Sequence, residues 1–210
     1  MSPGWLQEQC CNYLSEFDPA DAAHDINHVK RVVKNVIYLT DIEEAKSLVT
    51  LASAWLHDCV AVAKDSPLRP QGSRMAAEAA MKFLAGINYP EELLPEVFHA
   101  IEAHSYTANI PTRTLEAAVV QDADRLDSLG AIGIARCLLV GGKLNRPLIS
   151  DDDPFCDDRK PDDGQYTIDH FYAKLFNLPA TMKTRAGRDE AQRRADLMQR
   201  YLDDLRNEIT

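Results

Sequence analysis

Apolar residues in this 210-residue chain return at intervals of three and four, and almost no segment alternates with period two. That spacing puts an apolar stripe on each of a series of helices and leaves no pattern for a half-buried strand, so the chain is expected to fold as all-α. Breakers set the expected helices at about 3–16, 21–40, 41–63, 73–86, 91–105 and 112–140, followed by two closing helices at about 166–177 and 181–208. Asp18-Pro19-Ala20-Asp21 separates the first two, and Asp41 with Glu44 resembles a capping arrangement that opens the third. Pro90 and Pro111 stand near the starts of the fifth and sixth. Lys64–Gly72 reads as a loop. From Gly141 to Gly164, the breakers Gly141, Gly142, Pro147, Pro154, Pro161 and Gly164 and a dense run of aspartates predict a long loop before the last two helices. A loop of that length inside a compact fold favours a lid or binding role. There is no internal repeat.

Composition narrows the function classes. A chain of this length holds one full core, which predicts a single domain over 1–210 with its centre at about 20–140. Its 45% apolar and 27% charged residues exclude a disordered polypeptide. No apolar stretch reaches the roughly 18 residues that span a bilayer, and MSPGWLQEQ lacks the basic and apolar regions of a signal peptide. A cytoplasmic protein with no membrane partner is therefore expected, its oligomeric state left open. Five cysteines without a CxxC spacing fit free thiols. A formal charge of −10 with no basic run excludes polymeric nucleic acid as a partner. It does not exclude a small anionic substrate, because a bound divalent ion can dominate the local field.

Three segments carry the chemistry. His57-Asp58 closes the apolar run LASAWLHD. The two side chains differ by about 100° around a helix, so an ion between them can take an imidazole nitrogen and a carboxylate oxygen together. Upstream, His24 and His28 lie four residues apart on one helix face, which Val32 and Val36 continue inward. Downstream, Gln121-Asp122-Ala123-Asp124-Arg125-Leu126-Asp127 offers three aspartates. Asp124 and Asp127 share a face, whereas Asp122 lies about 200° from Asp124. Asp124 follows Ala117 and Val120 on the inward stripe and is the favoured remote ligand, with Asp122 its rival.

His28 within H-x-x-R-V, the pair His57-Asp58 and Asp124 within A-D-R-L together resemble the H…HD…D signature of the HD-domain metal-dependent phosphohydrolases. The similarity extends over most of the chain and is strongest to the bacterial YedJ/YpgQ-like branch, through LHDCVAVAKDSP, IEAHSYTANIP, VVQDADRLDSLGAIGIAR and HFYAKLFNLP. One departure is Ala118, where relatives of that branch tend to carry a lysine. The resemblance implies an HD-domain helical bundle whose central helices hold a divalent metal ion through His28, His57, Asp58 and Asp124. It also implies a small phosphorylated substrate, with a nucleotide and pyrophosphohydrolysis favoured.

The chemistry of those groups agrees with this assignment. Two neutral imidazoles and two carboxylates balance a divalent cation and leave positions for water and a phosphate oxygen. Manganese, iron, cobalt and zinc suit mixed nitrogen and oxygen ligation, and magnesium stays on the list; calcium suits it less well. Asp58 counts among the catalytic groups, with His104 as proton donor to the leaving group or phosphate contact. Lys64 is placed to neutralise a phosphate, with Arg69 as a weaker candidate. Asp127 is expected to orient water or a ribose hydroxyl, and His24 to bind substrate or buttress His28. Lys183, Arg185 and Arg188 fit a solvated helix end better than a polyphosphate clamp. Two other readings compete: a nucleotide-binding regulatory module without turnover, and an HD-type iron oxygenase. The second needs extra histidines, and His99 and His104 stand about 140° apart on their helix, which disfavours a four-histidine cage.

Overall fold

The computed structural model describes residues 1–15, 26–60, 62, 66–106 and 108–209. Among the described residues every regular element is helical, as the three- and four-residue spacing predicts. They form two compact units, Met1–Asp124 and Arg125–Thr210.

The first unit holds α1 (Pro3–Ser15), α2 (Ile26–Glu43), α3 (Ser47–Leu56), α4 (Gly72–Gly86), α5 (Leu94–His104) and most of α6 (Leu115–Leu126), in whose last turn the boundary falls. Helix α3 is its centre. Every residue from Val49 to Leu56 is buried, and α1, α2 and α5 all pack against it. The sequence SLVTLASAWL allows this because it is apolar or small on all sides, the pattern of a fully enclosed helix. Helix α2, by contrast, buries one stripe made of Val29, Val32, Val33, Asn35, Val36, Leu39 and Thr40. Its register on α3 is marked by the buried Thr40 hydroxyl, which donates to Thr50 Oγ1 at 2.9 Å.

Two helix limits differ from those expected. Asp41 does not open α3: it lies inside α2, which continues to Glu43 and turns at Glu44 with φ of 56°. The start of α3 is supported instead from a distance, where the Lys46 backbone N–H donates to the buried Glu116 carboxylate at 3.1 Å. At its other end α3 stops at Leu56 rather than near 63. Cys59 and Val62, which extended the apolar pattern, are buried from irregular backbone.

The second unit contains α7 (Gly130–Lys143), α8 (Asp169–Ala173), α9 (Leu178–Thr181) and α10 (Arg185–Ile209), with α10 packed on α7 and α9. The single helix expected over 112–140 is two. The Ser128 and Leu129 amides donate to Arg125 and Leu126 in a tightened turn, and Gly130 then takes φ of 73° to start α7. The expected long loop is present between α7 and α8, and it is internally bonded. Asp153 accepts from the amides of Asp157, Asp158 and Arg159, and Arg159 forms a two-pronged ion pair with the buried Asp169. The expected helix at 166–177 is shorter, being interrupted at Lys174 by φ of −137°. Thr184 Oγ1 accepts from the Gly187 amide at 2.9 Å, a cap that fixes the start of α10. None of the described helices is long and apolar enough to cross a membrane.

Candidate metal centre

Five of the sequence-selected side chains meet in the first unit. His28 comes from the first turns of α2, His57 and Asp58 from the turn closing α3, His104 from the last residue of α5 and Asp124 from the end of α6. His28 Nε2 stands 3.3 Å from Asp124 Oδ1, and His57 Nε2 lies 3.9 Å from the same oxygen. His57 Nε2 is also 3.6 Å from Asp58 Oδ2, while His104 Nε2 is 3.6 Å from Asp58 Oδ1. The rings of His28 and His104 stand edge-on to His57, with centroids 5.5 and 4.9 Å away.

Backbone carbonyls fix the orientation of two imidazoles. His57 Nδ1 lies 2.8 Å from the Ala54 carbonyl and His104 Nδ1 lies 2.6 Å from that of Ile101. A carbonyl only accepts, so each Nδ1 carries the proton and each Nε2 faces the cluster. For His57 this has a cost. Its Nε2 is buried with no hydrogen-bond partner among the described residues, and an orphaned buried acceptor is worth about 1–3 kcal/mol of lost stability. Burial pushes the His57 pKa down, which keeps the ring neutral and able to donate its lone pair.

The carboxylates are held ionised. Burial pushes Asp124 up, but the hydrogen bond and charge of His28, with His57 and His104, prevail and bring it to about 2. Asp58 likewise lies well below the usual carboxylate range, because His57 and His104 outweigh burial. The same contact acts on His104 in reverse: burial lowers its pKa, Asp58 and Asp124 raise it further, and the net direction is up. Exposure grades across the cluster. The His57 side chain is sealed, whereas those of Asp124 and Asp58 are 28% and 45% exposed, so the carboxylates form the mouth.

This donor set fits a divalent ion. Candidate ligand atoms of His28, His57 and Asp58 all lie within 4.8 Å of one another. Two atoms each about 2.1 Å from one ion stand roughly 3–4 Å apart, the range in which the separations involving Asp124 and Asp58 fall. The orphaned His57 nitrogen is the group such an ion would satisfy.

Other candidates lie elsewhere. Asp122 is fully buried. Asp127, in the second unit, is buried too, and its carboxylate is engaged by the Arg136 guanidinium. Both His99 ring nitrogens face Arg113, Nε2 accepting from the backbone N–H at 2.9 Å, so this histidine is committed away from the cluster. Arg69 is exposed and donates to the Val62 carbonyl. Arg188 donates to the Met182 carbonyl in the second unit. His24 and Lys64 lie outside the described residues. Two buried amides escaped the sequence reading: Asn35 donates to the Ala123 carbonyl at 3.0 Å and Gln121 to that of Ala103 at 2.7 Å. Asn35 could have been noticed as a polar residue on the apolar stripe of α2, seven positions after His28.

A histidine, a His-Asp pair and a remote aspartate gathered by helices make up the arrangement of an HD-type centre. The HD domain family matches residues 25–129, half of the chain, and the chain belongs to that family. It is 28% identical to YpgQ of Bacillus subtilis (strain 168) over 193 residues, 90% of this chain and 85% of that protein. Among solved structures it resembles an HD-superfamily hydrolase from Bacillus thuringiensis, with a TM-score of 0.75 and 29% identity over 98% of this chain and 96% of that one. It also resembles Bacillus subtilis YpgQ in complex with ADP, with a TM-score of 0.71 and 26% identity over 97% and 96% of the two chains.

Proposed function

We propose that this protein is a metal-dependent phosphohydrolase that cleaves a phosphoester or phosphoanhydride of a small metabolite, with a nucleotide as the favoured substrate. The observation that carries the reading is the buried, partnerless Nε2 of His57, set among His28, Asp58 and Asp124. The likeness to a hydrolase and to a YpgQ structure that holds ADP supports the choice of reaction and substrate class.

His28, His57, Asp58 and Asp124 would hold a divalent ion, which would supply Lewis acidity to a phosphoryl oxygen and lower the pKa of water. The chain's own groups do the rest. His57 presents a neutral Nε2 lone pair fixed by the Ala54 carbonyl, and His28 Nε2 stands 3.3 Å from Asp124 Oδ1. Asp58 faces the centre and lies 3.6 Å from His104 Nε2, and with Asp124 it turns the pKa of that ring upward against burial. The nucleophile would be hydroxide, its proton already lost to solvent; as its oxygen bonds to phosphorus and the bond to the leaving oxygen breaks, His104 Nε2–H would give its proton to that leaving oxygen. On the sequence resemblance, Lys64 is assigned to the substrate's phosphate and His24 to substrate binding or support of His28. Asp127 is assigned to its ion pair with Arg136.

The test is release of phosphate and pyrophosphate from nucleoside mono-, di- and triphosphates with manganese, magnesium, cobalt or zinc, with Asp58→Ala as control. Turnover in the wild type and none in the variant is expected, and the product identifies the bond cut. Nucleotide binding without hydrolysis by metal-loaded protein would replace this reading with a regulatory module.

A further inference from the structure

The two buried amides form a pattern that the ligand set does not use. Asn35 on α2 donates to the carbonyl of Ala123, the residue immediately before Asp124. Gln121 on α6 donates to the carbonyl of Ala103, the residue immediately before His104. Both amides are at least nine-tenths buried, with Asn35 8% and Gln121 4% exposed. Asn35 follows His28 by seven residues, two helical turns, so it shares the face that carries the histidine. Gln121 precedes Asp124 by three residues, on neighbouring rows of the same face. Helix α6 is thus tied to α2 on one side and to α5 on the other, each tie ending next to a residue of the cluster.

We infer that Asn35 and Gln121 are positioning residues that hold α6, and with it the Asp124 carboxylate, in register with His28, His57 and Asp58. The inference rests on the proposed metal centre. Apolar side chains at these places would bury the same area, but they would leave α6 free to slide or roll, since apolar contact is non-directional. A hydrogen bond to one named carbonyl selects a single register. The tolerance is small. A 1 Å shift of α6 directly away from His28 would widen the 3.3 Å between Asp124 Oδ1 and His28 Nε2 to about 4.3 Å, past the roughly 4.2 Å that two ligands about 2.1 Å from one ion can span. Polar supports of this kind act on a metal through its ligands, and losing one typically weakens affinity by about 10–100-fold.

The experiment is titration of the metal-free full chain with cobalt(II), read by its visible absorption, alongside thermal unfolding and helix content by circular dichroism. Asn35→Leu and Gln121→Met remove the donors at nearly constant volume. Thr40→Val is the control, because it breaks another buried cross-helix bond, Thr40 to Thr50, that touches no cluster residue. The expected result is cobalt affinity about 10–100-fold weaker in each amide variant with an altered absorption spectrum, against wild-type affinity and spectrum in Thr40→Val at a similar loss of thermal stability. Wild-type cobalt affinity in both amide variants would overturn the inference while leaving the metal centre standing, as would equal weakening in Thr40→Val. If one amide variant does not fold, the other carries the comparison. Failure of the wild type itself to take up cobalt would overturn the metal reading and this inference with it.

Discussion

His104, itself buried, faces Asp58, Nε2 to Oδ1 at 3.6 Å, while the other Asp58 oxygen stands equally far from His57 Nε2. One carboxylate therefore serves two imidazoles with opposite tendencies. His57 is pushed toward neutrality by burial, and His104, though burial also lowers it, is raised overall by Asp58. In metal-free protein the His104 ring is expected to titrate above the ordinary value of about 6.5. Stability from this pair is then complete below about pH 6.5 and is lost as pH rises through the folded-state value. Histidine NMR titration of the metal-free chain checks the direction. An unshifted His104, or a stability profile that His104→Gln leaves unchanged, would remove the basis for treating it as a proton donor. The carboxylates act at the other end of the scale: with Asp124 at about 2, its contribution is present above about pH 4 and lost as pH falls toward that value.

Metal should stabilise the protein in proportion to its occupancy. An ion at about a hundredfold excess over its Kd adds about 2.7 kcal/mol to a site that exists only in the folded state. The melting temperature of the wild type is thus expected to rise by several degrees with manganese, cobalt or zinc. Asp58→Ala and His57→Ala should show no such rise while retaining helix content. A rise of wild-type size in either variant would move the centre elsewhere.

The positions of these groups were unevenly legible. His57-Asp58 stood out because Trp55 and Leu56 before it made a solvated dipeptide implausible, and the pair does lie at the end of the most enclosed helix. Helical periodicity also favoured Asp124 over Asp122, but it could not show that Asp124 lies beside His28, because that contact joins residues 96 positions apart in sequence. The same limit hid Asn35 and Gln121, whose partners are the backbone carbonyls of distant helices and leave no trace in side-chain pattern. Helix ends were misread where tertiary groups replace local signals. Glu116 supports the start of α3 from 70 positions away, so Asp41 and Glu44 looked like a cap they do not form. The split between α6 and α7 depends on Gly130 at positive φ, and a lone glycine in an apolar helical pattern is tolerated often enough to be passed over.

Gly141 offers a test of packing in the second unit that is independent of the metal. A Cβ at this position would fall 2.2 Å from Thr167 Oγ1 and 2.5 Å from its Cγ2, inside a buried contact. Gly141→Ala is expected to cost about 1–3 kcal/mol despite the higher helix propensity of alanine. Thr167→Ala deletes both of those atoms but keeps a Cβ 2.9 Å away, so the double variant should recover part of the loss. Additive losses measured by chemical denaturation would show that the clash is relieved by some other movement.

Asp127 presents the sharpest choice between a structural and a substrate role. Its side chain is 1% exposed and its partner Arg136 is 41% exposed, so the pair is anchored at the carboxylate end and partly screened at the other. Removing the guanidinium takes a cation from beside a buried negative charge. Breaking a buried pair costs about 3–5 kcal/mol, and partial exposure of the arginine reduces that to about 2 kcal/mol. Arg136→Ala is accordingly expected to lose stability, and Asp127→Asn to lose less because the amide adds no buried charge. If Asp127 serves only this pair, neither substitution changes KM once the protein is folded and metal-loaded. A rise in KM for Asp127→Asn at unchanged metal content, without a matching rise for Arg136→Ala, would return Asp127 to the substrate.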